Sequence, residues 1–185
     1  MFRRSLIAAV LCAAFSSGSA VAQPYPNKPI TMIVPFAAGG PSDVLARLLG
    51  QSMSASLGQP IVIENVAGAG GTTGAGRTAR SAPDGYTVLI HHLALAAGAT
   101  LYPNLSYDTL KDLEPIGLVN QGPFAMVSKL GLPISTLPEF LAYVKAKGPQ
   151  TSFGHAGVGS GAHLCNMLLQ SALGVKLNEI PYRGT

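Results

Sequence analysis

Twice along this 185-residue chain an apolar run breaks into glycine and a helix-forming stretch begins at once. The first instance is "IVPFAAGGPSDVLARLL", residues 33–49; the second is "TSFGHAGVGSGAHLCNMLL", residues 151–169. A strand that turns directly into a helix must return over its own sheet. Such crossovers are the connection between parallel strands, so the repeat predicts an α/β fold with a parallel sheet. Glycine in the turn removes the side chains that would keep a ligand from the backbone. The helix start then offers unpaired N–H groups and the positive end of a dipole. Together they suit a small anion, a carboxylate or a phosphate. Any tight strand-to-helix turn also uses glycine, and it is the recurrence on one sheet that favours a ligand site at the strands' C-terminal ends.

The rest of the chain fits this frame. Apolar runs predict strands over 30–35, 61–64, 86–91, 116–120, 124–128, 151–154 and 177–180. Helical spacing predicts helices over 42–57, 93–101 and 162–173, with a short one around Arg77 and Arg80. Thr136 and Glu139 form a T-x-x-E capping box that opens a further helix, which Gly148-Pro149 ends. Pro83-Asp84-Gly85 reads as a turn.

The N-terminal segment is read separately. Arg3 and Arg4 precede an apolar stretch, and Ala20-Val21-Ala22 has the small-x-small form of a signal-peptidase site. The reading is a signal peptide over 1–22, cleaved after Ala22, and a soluble periplasmic protein not embedded in the membrane. Leu11 stands before Cys12 where a lipoprotein needs a small residue. From Gln23 onward ten Lys and Arg face eight Asp and Glu, scattered singly. That pattern is no footprint for nucleic acid. Cys165 is then the one remaining thiol, set among Leu164, Met167, Leu168 and Leu169, and reads as a small buried hydrophobe.

Other motifs are weaker. Gly157 to Ala162 fits G-x-G-x-x-A with Glu179 downstream, a loose dinucleotide fingerprint. Export argues against it, and no cofactor is expected. His91 and His92 are adjacent and would face opposite ways on a strand; His163 and Cys165 lack ligand spacing. No metal is expected. Ser160 and His163 could be nucleophile and base, but no G-x-S-x-G elbow is present. Asp43 reads first as a helix cap, and second as an acceptor for an amino or hydroxyl group of a ligand.

Six blocks taken in order narrow the reading: "YPNKPITMIVPFAAGGPSDVLARLL", "GQPIVIENVAGAGG", "APDGYTVLI", "LYPNLSYD", "FGHAGVGSGAHL" and "PYRGT". Together they resemble the Bug family, the TctC-like substrate-binding proteins of tripartite tricarboxylate transporters. The resemblance implies a type II periplasmic-binding-protein fold with a ligand cleft between two α/β lobes. Members continue well past "PYRGT", so the chain is expected to hold a first lobe over 23–110 and part of a second over 111–185, both incomplete. It implies capture of a small carboxylate for the transporter's membrane subunits. A carboxylate sensor that addresses a signalling receptor is the alternative, and an exported hydrolase the more distant one. The ligand-binding residues carried over are Phe36, Ala37, Gly39, Gly40, Ser42 and Asp43 in one loop. The other loop supplies Ala156, Gly157, Gly159, Ser160 and His163, with Tyr182 and Arg183 after the last strand. The chain departs from the family's usual residues at Val66-Ala67 and at His91-His92.

Overall fold

The computed structural model describes residues 24–182. The signal-peptide reading, its cleavage after Ala22 and Arg183 lie outside the described residues. The order of elements is β1 (Ile30–Val34), α1 (Pro41–Leu57), β2 (Ile61–Asn65), α2 (Thr72–Ala79), β3 (Thr87–Leu89), α3 (Ala94–Leu101), α4 (Leu137–Lys147), β4 (Ser152–His155), α5 (Gly161–Leu173) and β5 (Asn178–Pro181).

The first three strands form one parallel sheet in the order β2-β1-β3. Its central strand is apolar except for Thr31 because both faces are covered. Ile30, Met32, Ile33 and Val34 are all buried. Met32 and Val34 meet Ala46 of α1, and Leu49, Met53, Ile61, Ile63, Val88 and Ile90 close around them. Pro41 occupies the first turn of α1, where its missing N–H costs nothing. Gly58 ends that helix in the left-handed region and returns its N–H to the Ser54 carbonyl.

A second parallel pair, β4 and β5, runs from Ser152 beside Asn178 to His155 beside Pro181. Helix α4 precedes it. The capping box is formed: Glu139 N–H donates to the Thr136 hydroxyl, and the Glu139 carboxylate accepts from the Ser135 and Thr136 N–H groups at 2.8 and 3.1 Å. Thr136→Ala is expected to cost about 1 kcal/mol, read as a lower urea midpoint with unchanged slope.

Two expected strands do not form. Residues 112–129 are irregular, and Ile116, Leu118 and Val127 are 85%, 75% and 90% exposed. Alternating apolar residues favour an extended chain, but a strand also needs a neighbouring backbone to bond with. None lies alongside among the described residues. The third strand is shorter than its apolar run, since after Ile90 donates to the Ile33 carbonyl the chain turns toward α3.

Candidate ligand-binding site

The loops after β1, β3 and β4 leave the C-terminal ends of their parallel strands, where ligands of open α/β sheets sit. In the first loop Ala37 and Gly39 are exposed and Phe36 is buried. Gly40 has φ −77 and ψ 170, an extended conformation open to any residue. Ser42 is half-buried in the first turn of α1.

Asp43 is buried at 3% exposure and organises this loop. Its carboxylate accepts from the Gly39 N–H at 2.9 Å, from Arg47 Nε at 3.0 Å and from Asn65 Nδ2 at 3.1 Å. Asn65 also donates to the Phe36 carbonyl at 3.2 Å. The Arg47 hydrogen bond, then that of Gly39, holds the Asp43 carboxyl down to about 2. Asp43 therefore works beyond a cap: the N-cap of α1 is Gly40, and Asp43 ties the loop, the helix and β2 together.

The second loop is shaped by two imidazoles. Gly157 N–H donates to His155 Nδ1 at 3.2 Å, and Gly159 N–H donates to His163 Nδ1 at 3.1 Å. The Ser160 hydroxyl accepts from the His163 N–H at 3.3 Å and caps α5. The N–H groups of Gly157 and Gly159 are thus engaged with histidines, so these glycines give the loop its shape. Ala156 is half-buried beside them. Tyr182 donates its N–H to the His155 carbonyl at 2.7 Å, and its side chain is 65% exposed.

The same bonds test the catalytic and metal readings. With Nδ1 accepting from Gly159, His163 does not present that nitrogen to Ser160 as a base. His155, His163 and Glu179 gather with ligand atoms within 4.8 Å of one another. An imidazole whose Nδ1 accepts a backbone N–H carries its own proton on Nε2 when neutral. His163 then aims an N–H group, not a lone pair, at Glu179. His163 Nε2 stands 4.0 Å from Glu179. This is the polarity of an N–H···carboxylate contact and the reverse of the usual metal-bound imidazole.

The second glycine loop meets Tyr102, after α3, and the glycine segment after β2. Tyr102 Oη donates to the Val158 carbonyl at 2.8 Å. Gly70, at φ 64 and ψ 19, lies so close that a methyl group there would overlap the same carbonyl oxygen. Gly71, at φ 98, sits where a Cβ would come within 2.6 Å of His91 Nε2.

Beside this junction is a cleft of about 670 Å³, lined by His91, His92, Leu118, Asn120, Gln121 and Phe124 among others. The Phe36 ring stacks on His92 with centroids 4.7 Å apart and planes 9° from parallel, and meets His91 edge-on at 5.5 Å. Burial, followed by the neighbouring His92, pushes His91 down to about 4; burial lowers His92 as well. Both rings are neutral at pH 7.

Residues 45–185 match the profile of the tripartite tricarboxylate transporter family receptor, TctC. The chain belongs to this family. It is 46% identical over 160 residues to the UPF0065 protein of the TAR-I ttuE-ttuC' intergenic region of Agrobacterium vitis, covering 86% of this chain and 46% of that one. Among solved structures it is similar to the periplasmic binding protein BugD, with 41% identity, a TM-score of 0.76, and 87% of this chain against 54% of that one. It is also similar to MatC of Rhodopseudomonas palustris with bound malate, with 40% identity, a TM-score of 0.80, and 86% against 55%. The TctC-family chain thus spans about half the length of these relatives. Its α/β architecture is the periplasmic-binding-protein fold expected from its sequence, in part. The family and these solved neighbours are binding proteins. No described helix is long and apolar enough to cross a membrane.

The sequence marked both glycine loops; the structure sets the second against Gly70 and Tyr102, and the first reaches the same region through Phe36 on His92. It did not mark Asn65, Tyr102 or the loop-holding role of His155. Asn65 lay in view within the "IENVAG" block, but its partner Phe36 is 29 positions away. His91 and His92 stood out as departures from the family and as an unsuited metal pair, and their packing on Phe36 depends on the folded loop.

Proposed function

We propose that this chain forms the carboxylate-capturing part of a periplasmic solute receptor, with residues 23–110 in one lobe and 111–185 in the other. The receptor delivers its ligand to the membrane subunits of a tripartite tricarboxylate-type transporter. The observation that carries the reading is a cleft bordered by both glycine loops: Phe36 of the first stacks on His92 in its wall, and Gly161, closing the second, lies against Phe124. The starts of α1 and α5 direct their positive dipole ends to this region, which favours an anion. The malate bound to MatC supports the choice of a carboxylate among anions.

A ligand that binds only the folded state stabilises it by mass action, by about 2.7 kcal/mol at a hundred times its dissociation constant. For a chain of this size that is a rise of roughly 5–10 °C in melting temperature. Thermal scans of the purified protein against malate, adipate, benzoate and inorganic phosphate should show such a rise with at least one carboxylate. No rise with any carboxylate overturns the proposal.

A further inference from the structure

We propose that His92, backed by Phe36, selects the body of the ligand, and that the body it selects is a flat aromatic ring with a single carboxylate and an uncharged polar substituent. The inference rests on the carboxylate reading above and goes on to the class of acid.

Three features of the cleft point this way. The first is its charge. The residues lining it carry no charged side chain, and its two imidazoles are neutral at pH 7. A second carboxylate on the ligand would leave water for a cleft whose described lining offers it no cation, which is unfavourable. The second feature is its surface. His92 lies parallel against Phe36, so one face of its ring is covered and the ring is held in place. Phe124, Leu118 and Pro123 add apolar surface to the same cleft. A fixed ring with apolar neighbours favours stacking with another ring. At about 670 Å³ the space also exceeds what a four-carbon diacid needs and falls within the range of pockets for larger ligands.

The third feature is its donors. His92 Nδ1 accepts from the Ala94 N–H at 3.2 Å, so the neutral ring carries its proton on Nε2. The amides of Asn120 and Gln121 line the same cleft. A hydroxyl or carbonyl on the ligand's ring would satisfy such groups, while a bare hydrocarbon ring would not. His91 has a different task. Its Nδ1 accepts the His92 N–H at 2.8 Å, and its Nε2 faces Gly71, so it fixes the turn that presents His92.

The test is titration calorimetry of the purified protein with 4-hydroxybenzoate, benzoate and malate. The expected order is 4-hydroxybenzoate, then benzoate, then malate. His92→Ala should weaken 4-hydroxybenzoate by about tenfold, the loss of one stacked ring and one donor, and so erase its advantage over malate. His92→Phe keeps the ring and drops the donor; it should bind benzoate and 4-hydroxybenzoate alike. Malate binding more tightly than both aromatic acids overturns the inference and leaves carboxylate capture standing. An unchanged preference in both variants does the same. Binding of none of the three acids overturns the inference, and the thermal scans with other carboxylates then decide the receptor reading.

Discussion

Gly70→Ala is expected to weaken carboxylate binding by about tenfold to a hundredfold. Gly70 adopts φ 64 and ψ 19, where an L-residue pays about 1–2 kcal/mol. The added methyl also overlaps the Val158 carbonyl oxygen. That oxygen is backbone, so it cannot swing aside as a side chain would. The Gly70 segment and the Val158 loop must separate, and the Tyr102 Oη bond to the same oxygen then lengthens or breaks. A hydrogen bond of this kind is worth about 0.5–1.5 kcal/mol. Calorimetric titration with the tightest carboxylate measures the result. Tyr102→Phe, which removes the bond without the overlap, should fall between Gly70→Ala and the parent. An unchanged affinity in Gly70→Ala would mean that the Gly70 segment and the Val158 loop do not touch in the ligand-bound protein.

Asp43→Ala is expected to destabilise the fold by about 2–4 kcal/mol, since it strips a charged acceptor from three donors at once. The Gly39 N–H and Asn65 Nδ2 lose that acceptor in a part-buried site. The melting temperature should drop by roughly 5–15 °C. The parent and the variant should also differ in acid. The Asp43 carboxyl is held at about 2 in the folded chain against an ordinary 3.8. Between those values the unfolded chain binds the proton more readily, so stability falls as pH falls. The contribution is complete above about pH 4 and is lost toward pH 2. Asp43→Ala should lack this part of the acid slope, and an acid titration of the urea midpoint in both proteins would show it. Parallel slopes would remove Asp43 from the account.

The elements that proved legible in the sequence are those with local causes. Pro41 and Gly58 bracket α1, Ser160 and Gly174 bracket α5, and the Thr136–Glu139 box opens α4. The apolar runs that became β1 and β2 needed only each other. The runs over 116–120 and 124–128 carry the same local signal, but strand formation there depends on a partner backbone, which no local pattern supplies. The candidate site divides in the same way. Its glycine loops are visible as composition. The use of Gly157 and Gly159 N–H by His155 and His163 is a matter of ring orientation, and so is the stacking of His92 on Phe36. Asp43 was visible as a cap, yet its tie to Asn65 joins positions 22 apart.

The order β2-β1-β3 has a consequence for how the chain is made. All three strands, and the helices between them, lie between Ile30 and Leu89. β1 pairs with β2 through one helical crossover, and β3 closes on the other side of β1, with Thr87 beside Thr31. All its strands precede β4 and β5, so this sheet can close before that pair does, and the second glycine loop then joins a first one already set.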